Sequence, residues 1–181
     1  AAYAKSAAGA ALNAILLKNL FKPRAANPVS LVQAPVHAVR DDDSALFMFR
    51  VMAERNLSGV AVVNKTGVLV QNTSSSDLKL WLQQGQTLRQ PIQDFLAGVR
   101  NSQRQLAPQT RFPVVVVRLN DSVGTLIRRL AKTRLHRVFL VDGAFRPLGV
   151  VSISDILRAV TGHNKAKLSL WLREQQRMRA N

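Results

Sequence analysis

Apolar and polar positions along the chain indicate one order of elements that occurs twice. In the first copy, a short apolar stretch precedes a helical pattern, two apolar stretches separated by a turn, and a second helical pattern. The predicted strand, helix, strand, strand and helix cover residues 35–39, 45–52, 60–63, 68–70 and 77–82. Residues 41–44, Asp-Asp-Asp-Ser, supply a cap and favourable charge for the first helix.

A second copy follows about 78 residues later. Its predicted strand, helix, strand, strand and helix cover residues 113–118, 122–132, 138–141, 148–151 and 155–162. When the two copies are aligned in sequence so that Asp77 matches Asp155, Asn64 of the first hairpin turn matches Asp142 of the second. A unit of about 45 residues is too small to bury a core alone. The pattern therefore predicts an α/β fold in which two β-α-β-β-α repeats pack together into one module.

Flanking segments complete the predicted organisation. They are a basic N-terminal arm at 1–34, a connection at 84–112 between repeats 35–83 and 113–162, and a basic amphipathic helix at 163–181. Apolar positions at helical spacing in the acid-free arm indicate either an amphipathic helix docked on the domain or an organellar targeting remnant. Glycine, proline and polar residues predict that the connection is a solvent-exposed loop.

Charge and composition narrow the classes of function. The 26 Lys and Arg residues against 10 Asp and Glu give a net charge of +16, which favours nucleotides, RNA, an anionic membrane surface or an acidic protein as partners. The chain has no cysteine, and its three histidines lie far apart, so we expect no metal site. No apolar run approaches the ~20 residues that span a bilayer. We therefore expect a protein that is not transmembrane.

Catalytic motifs are missing from the sequence. It contains neither a P-loop nor a glycine-rich dinucleotide loop. No Ser, His and Asp arrangement suggests a nucleophilic relay, and Glu54 and Glu174 are the only glutamates available for paired-carboxylate chemistry. We therefore expect a protein that is not an enzyme.

The strand-to-helix junction of the second repeat carries the strongest candidate site. Ser152, Ser154 and Asp155 are, most simply, residues that cap a helix and complement its dipole. An ionised Asp155 also has the acceptors for two vicinal hydroxyls of a sugar. At the start of the preceding strand, His136 and Arg137 either belong to a solvated basic face or donate to phosphate.

Residues 121–162 resemble a cystathionine-β-synthase (CBS) domain, and are most similar to the last such domain of the AMP-activated protein kinase gamma subunit. The resemblance rests on the His-Arg pair before one strand and the Ser-x-Ser-Asp sequence after the next. It implies regulatory binding of AMP, ADP, ATP or an S-adenosyl compound in a cleft between the repeats, with no chemistry on the ligand. In that family the two motifs bind adenine nucleotide. We expect Ser152 and Asp155 to bind its ribose and His136 with Arg137 to bind its phosphate.

The resemblance also implies a place for the base. Val114, Val115 and Val150 match positions that supply apolar walls and strand-end amides to adenine in the gamma subunits. A valine run at 114–117 is equally typical of any fully buried strand. These two interpretations stay open at the sequence level.

The first repeat departs from the motif. Ser74 and Asp77 correspond to Ser152 and Asp155, and they are its candidate nucleotide-binding residues. The basic pair is missing, however, since the positions of His136 and Arg137 are taken by Ser58 and Gly59. In addition, Gln71 replaces Gly149, which puts close approach of the backbone in doubt. We expect one competent site and one degraded or empty site.

Two functions from different classes follow. The first is a non-catalytic adenine-nucleotide sensor that acts on a partner protein, within a complex or as a dimer of CBS modules. The alternative is a structural accessory subunit of a large mitochondrial or RNA-containing assembly, with a vestigial nucleotide site and basic termini that bind polyanions. The acid-free N-terminus favours the mitochondrial matrix over the cytoplasm.

Overall fold

The structure, a computed structural model, describes Leu17 and residues 32–79, 87–106 and 114–161. The helices and strands in chain order are β1 Ala38–Arg40, α1 Ala45–Glu54, β2 Ala61–Val63, β3 Leu69–Asn72, α2 Ile92–Leu106, β4 Val116–Arg118, α3 Val123–Thr133, β5 Arg137–Val141, β6 Pro147–Ser152 and α4 Ile153–Thr161. A further helix begins at Asp77 and is described as far as Lys79. The predicted terminal helices lie outside the described residues, as do the boundaries at 83/84, 112/113 and 162/163.

The strands form two sheets of three, in the orders β1-β2-β3 and β4-β5-β6. In the first sheet β1 runs parallel to β2, with Ala38 opposite Ala61, and β2 runs antiparallel to β3. Helix α1 is the crossover that two adjacent parallel strands require. The predicted α/β class and its two repeats are therefore confirmed.

The repeat extends to individual hydrogen bonds. In the first copy the Arg40 backbone N–H donates to Asp43 Oδ2 at 2.8 Å, and the Arg118 backbone N–H donates to Asp121 Oδ2 at 2.9 Å in the second. Each aspartate thus fixes the turn between a strand and the helix that follows it. Both bonds join residues three apart, and the second lies 78 positions after the first.

Helix ends repeat in the same way. Residues with left-handed backbone follow the first helix of each copy, Asn56 at φ 51° and Arg134 at φ 55°. The hairpin turns contain a second matched pair, Gly67 at φ 80° and Phe145 at φ 65°. A left-handed residue costs a side-chain-bearing amino acid about 1–2 kcal/mol. The second repeat keeps this geometry although Phe145 stands where the first repeat has glycine.

The chain divides into two compact units that interleave in sequence. Unit 1 consists of residues 1–34, 117–140 and 149–181, and unit 2 consists of residues 35–116 and 141–148. In unit 1 the Leu17 backbone N–H donates to the Asp121 carbonyl at 2.9 Å. In unit 2 the Leu69 backbone N–H donates to the Phe145 carbonyl at 2.9 Å, so the tip of the β5–β6 hairpin pairs with β3.

Helix α2 corrects a sequence prediction. The segment 84–112 was expected to be a solvent-exposed loop, but residues 92–106 form a helix in which Ile92, Phe95, Leu96 and Val99 are fully buried. These four positions have the i, i+3, i+4, i+7 spacing of an amphipathic helix. The loop prediction is wrong because burial of this apolar face outweighs the loop preference of Gly98 and the polar residues.

The core of unit 2 depends on α2. Its apolar face packs with Met48 and Met52 of α1 and with Val60 and Val62 around β2. Phe95 also meets Phe49 edge to face, with ring centroids 5.6 Å apart and an interplanar angle of 86°. Such aromatic pairs add to the stability that comes from burial alone.

We predict that Phe95→Ala lowers the free energy of unfolding by about 3–5 kcal/mol, because it leaves a cavity in this core. Chemical denaturation monitored by circular dichroism measures the change. The control is Gln93→Ala on the exposed face of the same helix, for which we expect a change within ~0.5 kcal/mol. A loss of less than about 1 kcal/mol for Phe95→Ala would mean that α2 is not part of the core.

Candidate functional site

Asp155 lies in the first turn of α4 and is 4% exposed. The backbone N–H and the hydroxyl of Ser152 donate to Asp155 Oδ2 at 2.8 and 2.6 Å, and the Asp155 backbone N–H donates back to Ser152 Oγ at 3.2 Å. This reciprocal pattern is a capping box, which satisfies donors that a helix start leaves unpaired. The capping interpretation of Ser152 is therefore confirmed, while its ribose role stays a prediction.

The other carboxylate oxygen of Asp155 is also engaged. Asp155 Oδ1 accepts from Gln33 Nε2 at 2.6 Å and forms an ion pair with Arg158 Nη2, one turn further along α4. Gln33 is held beside β6 by two backbone hydrogen bonds with Val150, at 2.9 and 3.0 Å. The four groups that donate to the carboxylate, two from Ser152 and one each from Gln33 and Arg158, thus all belong to unit 1.

Asp77 is the equivalent residue of the first repeat and is 2% exposed. The Ser74 backbone N–H donates to Asp77 Oδ2 at 2.9 Å, which matches the bond between Ser152 and Asp155. Arg100 Nη1 pairs with Asp77 Oδ1 at 3.1 Å, and its Nη2 donates to the Asn72 carbonyl at 2.9 Å. Helix α2 therefore places an arginine directly on the aspartate of the first repeat.

Arg100 and Gln33 are site residues that the sequence reasoning missed. The signal for Arg100 was the helical spacing of residues 92, 95, 96 and 99, which places position 100 beside a buried stripe. Gln33 lies 122 residues before Asp155, and no local pattern connects the two.

His136 and Arg137 lie at the start of β5, close to the same junction. The Ile153 backbone N–H donates to the His136 carbonyl at 2.9 Å, which joins the His136 main chain to the first residue of α4. The His136 residue is exposed, whereas Arg137 is half-buried. Burial lowers the pKa of the Arg137 guanidinium from its ordinary value. An arginine still carries its charge at neutral pH, and a partly desolvated charge attracts an anion more strongly than an exposed one does.

The structure divides the remaining predicted residues between the units. Ser154 is exposed in the first turn of α4, and Val150 is half-buried in β6; both belong to unit 1 with Asp155. Val114 and Val115 are half-buried and belong to unit 2 with Asp77. In that unit, Asn72 Nδ2 donates to the Val115 carbonyl at 3.3 Å. Their role as the binding site of a base stays a prediction.

A groove of about 430 Å³ opens between α3 and α4. Its walls are mainly apolar and comprise Ile127, Leu130, Ala131, Arg134, Leu135, His136, Ile153, Ile156 and Leu157. Ile153 is 40% exposed and Leu157 is 58% exposed. His136 therefore lies between the polar junction and an apolar surface.

Two structural searches concern only the described part of the chain. Among residues 32–79, 87–106 and 114–161, no helix is both long and apolar enough to cross a bilayer. Within those same ranges, no three His, Cys, Asp or Glu side chains cluster so as to hold a metal ion.

Comparison with known sequences identifies the second repeat. Residues 108–162 match the family model of the CBS domain. The chain is 34% identical over 110 residues to the 5'-AMP-activated protein kinase subunit gamma-3 of Homo sapiens, a match that covers 61% of this chain and 21% of the relative. The gamma subunit of Dictyostelium discoideum is 28% identical over 118 residues, with 61% and 19% covered. The chain thus spans about a fifth of the length of these relatives.

Comparison with solved structures identifies the fold. The CBS domain pair of protein MJ0100, in complex with 5'-methylthioadenosine and S-adenosyl-L-methionine, has a TM-score of 0.60 at 18% identity and covers 81% of this chain and 96% of that one. CBSX2 in complex with AMP has a TM-score of 0.52 at 18% identity, with 82% and 97% covered. Residues 108–162 are therefore a CBS domain, and the chain has the fold of the solved CBS domain pairs. Over 61% of its length, its sequence is similar to the gamma subunits of the AMP-activated protein kinase.

We predict that Arg100→Ala lowers the free energy of unfolding by about 3–5 kcal/mol, because it leaves the buried Asp77 carboxylate unpaired. Thermal or chemical denaturation measures this loss. The double variant Asp77→Ala with Arg100→Ala should lose less than the sum of the two single variants. Arg89→Ala, at an exposed position just before α2, is the matched control. Additive losses in the double variant would contradict a direct coupling.

Proposed function

We propose that this protein is a non-catalytic regulatory module that binds an adenine nucleotide at its second repeat and acts on a partner protein. The observation that carries the proposal is the junction in unit 1, where a buried Asp155 carboxylate, the main chain of His136 and the half-buried Arg137 occur within one CBS-type repeat. The bound adenosine compounds named for the solved CBS domain pairs support the choice of ligand class.

Each part of the ligand has a proposed contact. The ribose diol binds Asp155 and Ser152, since a carboxylate oxygen and a serine hydroxyl oxygen both accept from sugar hydroxyls. Phosphate binds Arg137, whose planar guanidinium offers several donors, and His136 adds a further donor. Ser154, which is exposed in the first turn of α4, contributes its hydroxyl to the same ligand.

The first repeat is proposed to be empty. Arg100 holds Asp77 Oδ1 and the Asn72 carbonyl at once, and this charged pair is largely buried. Breaking such a pair leaves a buried charge without compensation, which costs several kcal/mol. The first repeat also has no His-Arg pair before β2, so it lacks the donors proposed to bind phosphate in the second repeat. We therefore propose one bound nucleotide per chain.

A partner protein is part of the proposal because a sensor needs a second surface. A ligand shifts a conformational equilibrium only by its differential affinity for the two states, so the signal must reach another molecule through a surface that differs between them. The chain covers only about a fifth of the gamma subunits that it matches. We do not extend the proposal to membership of that kinase.

The second candidate function is a structural accessory subunit in which the nucleotide site is vestigial. The observation that favours it is that both oxygens of Asp155 are already satisfied by residues of the protein. The +16 charge is compatible with an assembly that contains a polyanion. In this candidate the adenine ligands leave the protein's stability unchanged, and RNA retention falls steeply as salt concentration rises.

Calorimetric titration of the wild-type chain with AMP, ADP, ATP, S-adenosylmethionine and adenosine tests the proposal. We expect binding at one site per chain and a rise in melting temperature with the bound ligand. A stoichiometry of two would refute the empty first repeat. If none of the five compounds binds at millimolar concentration, the sensor function is refuted and the structural candidate remains.

We predict that Arg137→Ala weakens ADP binding about tenfold or more but leaves adenosine binding within about twofold, because hydrogen bonds to charged groups contribute ~1.5–3 kcal/mol. Titration of both ligands against the variant measures the difference. Lys132→Ala, which removes an exposed charge of the same unit, is the matched control. Equal weakening of ADP and adenosine would exclude a phosphate role for Arg137.

A further inference from the structure

The Asp155 carboxylate has no spare acceptor in this structure. An ionised carboxylate offers about four lone-pair sites. Two hydrogen bonds from Ser152 reach Oδ2, and Gln33 and Arg158 reach Oδ1. A ribose diol at this position must therefore replace at least one of these donors.

The donors differ in what their displacement costs. Loss of Ser152 removes the cap of α4 and leaves backbone donors of the helix start unpaired. Loss of Arg158 separates a largely buried ion pair, which is more expensive. Gln33, in contrast, is a neutral carboxamide on an exposed residue, and water satisfies its amide once it leaves. Gln33 is the donor that a ligand displaces at the lowest cost.

The main chain of Gln33 is fixed near Asp155, so its displaced side chain is able to return to the carboxylate. Its backbone N–H and carbonyl both pair with Val150 of β6, so its main chain stays beside the site while its side chain moves. A competitor that is tethered in this way acts at a high effective concentration. The exchange of one neutral donor for another leaves the charge balance at Asp155 unaltered.

We propose that Gln33 is an internal competitor for the ribose of the nucleotide, and that binding replaces its carboxamide on Asp155 Oδ1 by one hydroxyl of the vicinal diol while Ser152 and Arg158 stay in place. This inference rests on the proposed function of the second repeat. It assigns a specificity role to a residue outside the CBS motif, because only a ligand with hydroxyls to donate compensates the lost hydrogen bond. It also couples occupancy of the site to the segment that contains Gln33.

The test compares Gln33→Ala with the wild-type full chain in calorimetric titrations of AMP and 2′,3′-dideoxy-AMP. Removing a competitor worth one net hydrogen bond, about 0.5–1.5 kcal/mol, corresponds to an affinity gain of about twofold to tenfold for AMP. We expect no gain for the dideoxy analogue, which has no diol to donate. The control Gln93→Ala, at an exposed position of unit 2, leaves both affinities unchanged.

A second variant covers the case in which Gln33→Ala does not fold. Gln33→Asn keeps the carboxamide but shortens its reach by one methylene, so we expect the same direction of change for AMP. If wild type binds AMP and neither variant binds it more tightly, the competitor role is overturned and the proposed function stands. An equal gain for AMP and its dideoxy analogue also overturns the role. If neither wild type nor the variants bind AMP, both the inference and the proposed function fail.

Discussion

A buried carboxylate at the junction of a strand and a helix constrains each repeat of this protein. Asp77 and Asp155 are 2% and 4% exposed, and an unpaired charge at such burial costs several kcal/mol. Each carboxylate receives the backbone N–H of the residue three positions earlier and the guanidinium of an arginine. The geometry of both junctions is therefore fixed by the protein before any ligand arrives.

The two junctions differ in the partners that hold their carboxylates. Arg100 holds Asp77 with a charge and ties the same guanidinium to the Asn72 carbonyl, so a neutral sugar has no equal replacement to offer. At Asp155 one of the partners is the neutral carboxamide of Gln33, which hydroxyl donors can match. This difference between a charged and a neutral partner is our explanation for the proposed empty first repeat and nucleotide-binding second repeat.

The sequence predicts much of the fold because local patterns determine it. The order of elements, the turns and the serine and aspartate at the α4 start all follow from residues within a few positions of one another. The partners of the two carboxylates do not, since Arg100 is 23 residues from Asp77 and Gln33 is 122 residues from Asp155. Helix α2 differs from the loop prediction for another reason: its apolar positions 92, 95, 96 and 99 have helical spacing, but its polar residues and Gly98 are also typical of a loop.

The two repeats differ most at the contacts that their aspartates make with residues outside the repeats. Turn bonds, left-handed residues after the first helices and the backbone N–H bond to the junction aspartate recur at a spacing of 78 residues, so these backbone contacts are common to both sites. Position 80 is leucine where the second repeat has Arg158, and the missing cation is supplied to Asp77 by α2 from the connecting segment. At Asp155 the additional donor comes from Gln33, which precedes the first repeat. Under the proposed function, the segments outside the repeated backbone therefore decide which carboxylate exchanges its partner for a ligand.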